Sequence, residues 1–159
     1  MSGSSRFGGK QICSTRRERE AGPHIPLATA GPRVLVVEDE AVVAVEIVQV
    51  LRTAGFEVVG PARAVAQALQ LINGVGCDAA VLDINLGTET SEPIALRLRD
   101  RGTPFVTVSG YSREQQSPVF SDAPKLAKPL RPERLIAELR RCMAQDAQRT
   151  KGHAELPVH

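Results

Sequence analysis

Tryptophan is absent from this chain, and its 159 residues include one tyrosine and four phenylalanines. A nucleic-acid-binding surface built from basic and stacking aromatic side chains is therefore not expected. The three cysteines (Cys13, Cys77 and Cys142) lack the spacing of a metal site or a disulfide framework. No apolar run approaches the roughly 20 residues of a membrane span, and residues 1–30 lack the apolar segment of a secretory signal. These absences favour a protein of the reducing cytoplasm.

The net charge of +2 is unevenly distributed. Residues 1–31 carry a net charge of +3 and residues 140–159 a net charge of +2, whereas residues 32–139 carry −3. The N-terminal segment is rich in Gly, Ser, Arg and Pro and shows no periodicity, which is typical of a solvated, disordered segment. We therefore predict a flexible basic arm over residues 1–32, one domain over residues 33–143 and a flexible tail over residues 144–159.

Apolar runs and amphipathic segments alternate within the predicted domain. The continuous runs predict parallel strands buried on both faces, at Val34–Val37, Phe56–Val59, Ala79–Asp83, Pro104–Val108 and, more briefly, Lys125–Ala127. Apolar stripes with helix start and stop signals predict helices over Ala41–Ala54, Val65–Ile72, Glu92–Arg101 and Pro132–Met143. This order predicts an α/β fold with a doubly wound, five-stranded parallel sheet.

One helix is missing from the alternation. After the fourth strand, residues 112–124 contain Pro118 and Pro124 and little apolar periodicity. We expect an irregular, mobile segment there, with at most one helical turn over Arg113–Gln116.

Polar side chains follow four of the five predicted strands. Ordinary explanations exist for each: acids favour the start of a helix, and the other groups suit loop caps, turns or the surface. Those explanations do not account for all of them lying at the carboxyl ends of strands, where doubly wound folds bind ligands. Clustered carboxylates repel one another unless a cation such as Mg²⁺ lies among them. The residues concerned are Glu38, Asp39, Glu40, Asp83, Ser109 and Lys128.

The sequence here resembles the receiver domain of two-component response regulators, over about residues 33–143. The motifs that carry the resemblance are Val36-Val37-Glu38-Asp39-Glu40, Leu82-Asp83-Ile84-Asn85-Leu86, Val108-Ser109-Gly110 and Lys128-Pro129. Within that family it is most similar to the alphaproteobacterial stand-alone receivers with a Pro-Phe-x-Phe-Ala-Thr-Gly-Tyr pattern. The matching stretch runs from Pro104 to Tyr111 and departs from the pattern at Thr107 and Val108.

The resemblance implies the flavodoxin-like receiver fold and a phosphoryl transfer from a phosphohistidine donor onto Asp83. Ser109 and Lys128 would contact the phosphoryl oxygens. Mg²⁺ would be bound by Asp39 and Asp83, by Glu38 through water and by the backbone carbonyl of Asn85. The implied partner is a sensor histidine kinase or a phosphotransfer protein, and the chain would catalyse only its own phosphorylation and dephosphorylation. With no output domain expected after Met143, it would signal by protein contact or act as a phosphorelay shuttle or sink.

Two features depart from typical receivers. Lys125 stands three positions before Lys128, where the family usually has an aromatic switch residue, and the interval from Ser109 to Lys128 is short. We therefore expect a different switch, and our hypothesis is that phosphorylation orders the 112–124 segment through Ser109.

Three other functions are weighed against this one. The main alternative is a phosphorylation-independent pseudo-receiver that serves as a binding module. A Mg²⁺-dependent phosphatase with an aspartyl nucleophile would need a second aspartate where Asn85 stands. A nucleotide-binding domain would need a glycine-rich loop after the first strand, where Glu38-Asp39-Glu40 stands instead.

Overall fold

Four helices and seven strands make up the part of the chain that the structure, a computed structural model, describes: residues 31–110 and 117–153. The strands are β1 (Arg33–Val37), β2 (Glu57–Ala62), β3 (Ala79–Asp83), β4 (Asn85–Leu86), β5 (Glu89–Thr90), β6 (Phe105–Ser109) and β7 (Lys125–Ala127). The helices are α1 (Ala41–Thr53), α2 (Val65–Gly74), α3 (Glu92–Asp100) and α4 (Pro132–His153). Within these ranges, no helix is long and apolar enough to cross a membrane.

Five parallel strands form the main sheet in the order β2-β1-β3-β6-β7, while β4 and β5 form a small antiparallel hairpin. Alternate residues of the central strands enter opposite cores. Leu35 and Leu82 pack with α2 and α3, whereas Val36 and Val81 pack with α1 and α4. Burial on both faces is the reason these strands have continuous apolar sequences. The predicted doubly wound, five-stranded parallel fold is confirmed.

Strand β2 is longer than predicted. Gly60-Pro61 was expected to end it, yet it continues to Ala62 with a shift in its register against β1. A proline is tolerated there because β2 is an edge strand and the pairing is irregular. At Gly60, φ is +94°, and an added Cβ would lie 2.8 Å from the backbone nitrogen of Ala62. A glycine is therefore required at this position.

A short 3-10 turn over Pro118–Phe120 takes the place of the missing helix among the residues described between β6 and β7. The side chains of Val119 and Phe120 are buried and join the core that includes α3. For residues 117–124, the predicted replacement of the fourth helix by a short, largely irregular connection is confirmed. Two consecutive apolar residues are enough to anchor its one short turn without helical periodicity. The turn predicted over residues 113–116 lies outside the described residues.

Helix α4 corrects the predicted C-terminal tail. It was expected to end near Met143 but continues to His153, so residues 144–153 are helical. The apolar stripe that marked the helix does end near Met143, but the residues that follow are mainly good helix formers such as Ala144, Gln145 and Ala147. Residues 1–30 of the predicted arm and residues 154–159 of the predicted tail lie outside the described residues.

Candidate functional site

The carboxyl ends of four parallel strands bring the predicted site residues to one edge of the sheet. Glu38 directly follows β1, Asp83 ends β3, Ser109 ends β6 and Lys128 directly follows β7. The register pairs Asp83 with Val108 and Ser109 with Ala127, so these strands end at nearly the same level. Parallel pairing thus places residues distant in sequence beside one another.

Three carboxylates converge at this edge. Glu38 is fully buried, Asp83 is 5% exposed and Asp39 is partly buried. Each offers one oxygen, and these three oxygens lie within 4.8 Å of one another. Mutual repulsion at this separation requires compensating positive charge.

Lys128 supplies one such charge. Its Nζ lies 3.0 Å from Asp83 Oδ2 and 3.1 Å from Glu38 Oε2. Partial burial tends to lower the pKa of Lys128, but the hydrogen bond to Asp83 and the charges of Asp83 and Glu38 outweigh it and raise that pKa above its ordinary value. Lys128 therefore stays a cation.

The contact with Lys128 compensates the negative charge of the Glu38 carboxylate only in part. Burial, reinforced by the charge of Asp83, raises the pKa of Glu38 from 4.5 to about 7, against the opposing effects of the Glu40 backbone N–H and of Lys128. Glu38 Oε1 accepts a hydrogen bond from that N–H at 3.0 Å. Among the described residues, Oε2 finds no hydrogen-bond partner, and Lys128 approaches it only as an ion pair.

These observations fit a divalent cation of the Mg²⁺ type. A buried carboxylate oxygen without a hydrogen bond is costly, and an oxygen-rich, negatively charged group of ligands suits a hard cation. Glu38, Asp39 and Asp83 are the residues that would bind it.

The two oxygens of Asp83 have different neighbours. Oδ2 faces Lys128, while Oδ1 accepts a hydrogen bond from the backbone N–H of Asn85 at 3.1 Å. These contacts fix the orientation of the carboxylate. The metal contact predicted for the Asn85 carbonyl stays a prediction.

Ser109 contacts the charged residues of the site through a backbone hydrogen bond with Lys128. Its carbonyl accepts a hydrogen bond from the N–H of Lys128 at 3.1 Å, and its side chain is partly buried. The predicted contact of its hydroxyl with a phosphoryl oxygen also stays a prediction. Lys125, at the position of the usual aromatic switch residue, is the exposed first residue of β7.

Two contacts at the site were not predicted. Glu40 Oε1 lies 3.5 Å from Lys128 Nζ, and the guanidinium of Arg63 donates a hydrogen bond to the Asp39 carbonyl at 3.1 Å. The sequence places Glu40 among the acids that follow β1 but does not predict its contact with Lys128. Arg63 directly follows β2. The other site residues were found because they stand at the ends of strands, and the same rule would identify Arg63 if the full length of β2 were predicted.

Comparisons with known proteins agree with this fold. Residues 34–140 match the family model described as response regulator receiver domain. The transcriptional regulatory protein PdtaR of Mycobacterium tuberculosis is 28% identical over 116 residues, which cover 70% of this chain and 55% of that protein. The chain thus spans about half the length of this curated relative.

Solved structures show the same fold. A CheY-like response regulator receiver domain protein from Methanospirillum hungatei is 23% identical with a TM-score of 0.67, covering 75% of this chain and 98% of that one. A putative response regulator from Chloroflexus aurantiacus is 26% identical with a TM-score of 0.64, covering 72% and 98% respectively. The finer likeness to the alphaproteobacterial subfamily stays a prediction.

Proposed function

Because the chain belongs to the response regulator receiver domain family, we propose that it accepts a phosphoryl group on Asp83 from a phosphohistidine donor. The donor would be a sensor histidine kinase or a phosphotransfer protein. The phosphorylated chain would then signal by protein–protein contact, or pass the group on as a phosphorelay shuttle or sink. In this role it modifies only itself and acts on no separate substrate, in the cytoplasm where such donors present their phosphohistidine.

The observation that carries the proposal is the position of Asp83 among the other charged groups. Its carboxylate ends a buried strand, lies within 4.8 Å of two other carboxylates and contacts Lys128 at 3.0 Å. A carboxylate that served only to pair with one lysine would not need two further acids beside it. This arrangement suits a reaction in which negative charge is brought in and neutralised.

The proposed step needs little covalent chemistry from the protein. An oxygen of Asp83 attacks phosphorus, a P–O bond forms, and the P–N bond to the donor histidine breaks, leaving the electron pair on the imidazole. Lys128, already beside Asp83, would pair with a phosphoryl oxygen, and the hydroxyl of Ser109 would donate a hydrogen bond to another. Mg²⁺, held by Glu38, Asp39, Asp83 and the Asn85 carbonyl, would supply further positive charge to the phosphoryl oxygens.

Phosphorylation by a small donor tests the proposal directly. The protein is incubated with Mg²⁺ and acetyl phosphate, and its intact mass is measured. We expect one added phosphoryl group on the wild type and on Asp100→Asn, which removes an exposed carboxylate at the end of α3. We expect none on Asp83→Asn, which keeps the shape of the side chain but removes the nucleophile.

A matching adduct on Asp83→Asn would place the modification elsewhere. Failure of the wild type with acetyl phosphate, phosphoramidate and histidine kinase donors alike would favour the phosphorylation-independent binding module.

A further inference from the structure

We propose that Glu40 is a specificity-determining residue: it competes with the incoming phosphoryl group for Lys128 and so disfavours small, highly charged phosphodonors. This inference rests on the proposed function. It assigns a role to an ion pair that the sequence analysis did not predict.

Glu40 belongs to the site but is not needed by its other parts. It is not one of the three acids whose oxygens converge on the candidate cation position. It is the N-cap residue of α1, but among the described residues its side chain makes no capping hydrogen bond. Only its backbone supports the local structure, through the N–H bonded to Glu38 and the carbonyl bonded to Ala44. A change of its side chain therefore leaves these bonds in place.

Among the described residues, the contact with Glu40 is the weakest of the three ion pairs that Lys128 makes. The Glu40 pair spans 3.5 Å and its carboxylate side chain is 64% exposed, whereas Glu38 and Asp83 lie closer and are nearly buried. Exposed pairs are screened by water and contribute little to stability. Glu40 is thus the partner that Lys128 releases first.

Breaking of the Glu40–Lys128 ion pair is coupled to the proposed reaction. A phosphoryl group entering beside Asp83 needs the ammonium of Lys128, and the nearby charge of Glu40 both competes for that ammonium and repels the donor's own anionic oxygens. A protein donor offsets this cost with contacts elsewhere on its surface, which a small donor cannot make. Glu40 therefore selects against small anionic donors.

Phosphorylation kinetics of Glu40→Gln test the inference. Acetyl phosphate carries more net negative charge than phosphoramidate at neutral pH. Comparing the two donors therefore shows how the effect of Glu40 on the rate depends on the charge of the donor. With saturating Mg²⁺ and low salt, we expect Glu40→Gln to raise the second-order rate with acetyl phosphate about threefold, as for an exposed ion pair. A smaller increase is expected with phosphoramidate. The gain should appear as a lower half-saturating donor concentration and should shrink at high salt.

Glu46→Gln is the matched control. Glu46 is an exposed glutamate of the same helix, and its substitution changes the net charge equally. We expect its rates with both donors to equal those of the wild type. Equal rates for Glu40→Gln and wild type, or equal gains for both variants, would overturn the role of Glu40 even if the phosphoryl adduct forms normally. If the wild type forms no adduct at all, the proposed function itself fails, so the two failures are distinguishable.

Discussion

Lys128 lies between two nearly buried carboxylates and compensates the charge of both. Buried charges are tolerated only when paired, so these contacts help the fold to accept Glu38 and Asp83 at the end of the sheet. The same contacts hold the ammonium where a phosphoryl group on Asp83 would meet it. At this residue, the needs of folding and of the proposed chemistry coincide.

Removal of this lysine should destabilise the metal-free protein in a pH-dependent way. Lys128→Met should lower the free energy of unfolding by about 1–3 kcal/mol at pH 8, because two carboxylates lose their counter-ion. Glu38 has a raised pKa of about 7 in the folded state, so the folded protein binds more protons than the unfolded chain between pH 4.5 and 7. Stability from this group is therefore greatest at low pH and is lost as the pH rises through 7.

The cost of Lys128→Met should accordingly be smaller at pH 5, where Glu38 is largely protonated, than at pH 8. Urea unfolding in a metal chelator at both pH values measures it. Lys125→Met, at an exposed lysine of β7, is the control and should change stability little at either pH. A cost for Lys128→Met that is equal at both pH values would contradict this account of Glu38.

At the scale of elements, the sequence predicted what depends on burial pattern and missed what depends on local geometry. Residues of β1 and β3 alternate between two cores, so their apolar runs identified strands and their order identified the fold. The extension of β2 past Pro61 depends on its edge position, and the length of α4 depends on polar residues without a stripe. Neither is visible in an apolar pattern.

The contacts of the candidate site likewise fall into those that the sequence predicts and those that it does not. Glu38, Asp83 and Lys128 meet because parallel strands end at one edge, and this rule requires only the sequence order of the strands. The contact of Glu40 with Lys128 depends on which rotamers two long side chains adopt, and these are not fixed by spacing.

The 3-10 turn that takes the place of a helix should contribute to the stability of the domain through the burial of Phe120. The side chain of Phe120 is 1% exposed and belongs to the core shared with α2 and α3. Phe120→Ala should lower the free energy of unfolding by about 3–4 kcal/mol through lost burial and a residual cavity. Urea unfolding measures this loss, and Val42→Ala, at a residue 73% exposed, should change stability by less than about 0.5 kcal/mol. A loss below about 1 kcal/mol for Phe120→Ala would show that the ring is not packed as described.

At the scale of the whole molecule, the charged site and the two cores share one sheet. β1 and β3 are adjacent strands in the interior of the sheet, and they carry Glu38 and Asp83 at their ends. Repulsion among the carboxylates therefore opposes folding of the entire domain. A cation that binds the folded site relieves this repulsion and must stabilise the domain by mass action.

Mg²⁺ should therefore raise the thermal unfolding midpoint, and Asp39 should be required for most of the effect. At a free Mg²⁺ concentration ten times its Kd, the expected gain is about 1.4 kcal/mol, or roughly 3–6 °C for a domain of this size. Asp39→Asn removes one of the three converging carboxylates. It should start slightly more stable than wild type without metal, because one repelling charge is gone, and gain little when Mg²⁺ is added. Without metal the variant should therefore have the higher midpoint, and with Mg²⁺ the wild type should have it, whereas Asp100→Asn should follow the wild type. An unchanged wild-type midpoint would show that the site does not bind Mg²⁺, and an equal gain for Asp39→Asn would remove Asp39 from the ligands.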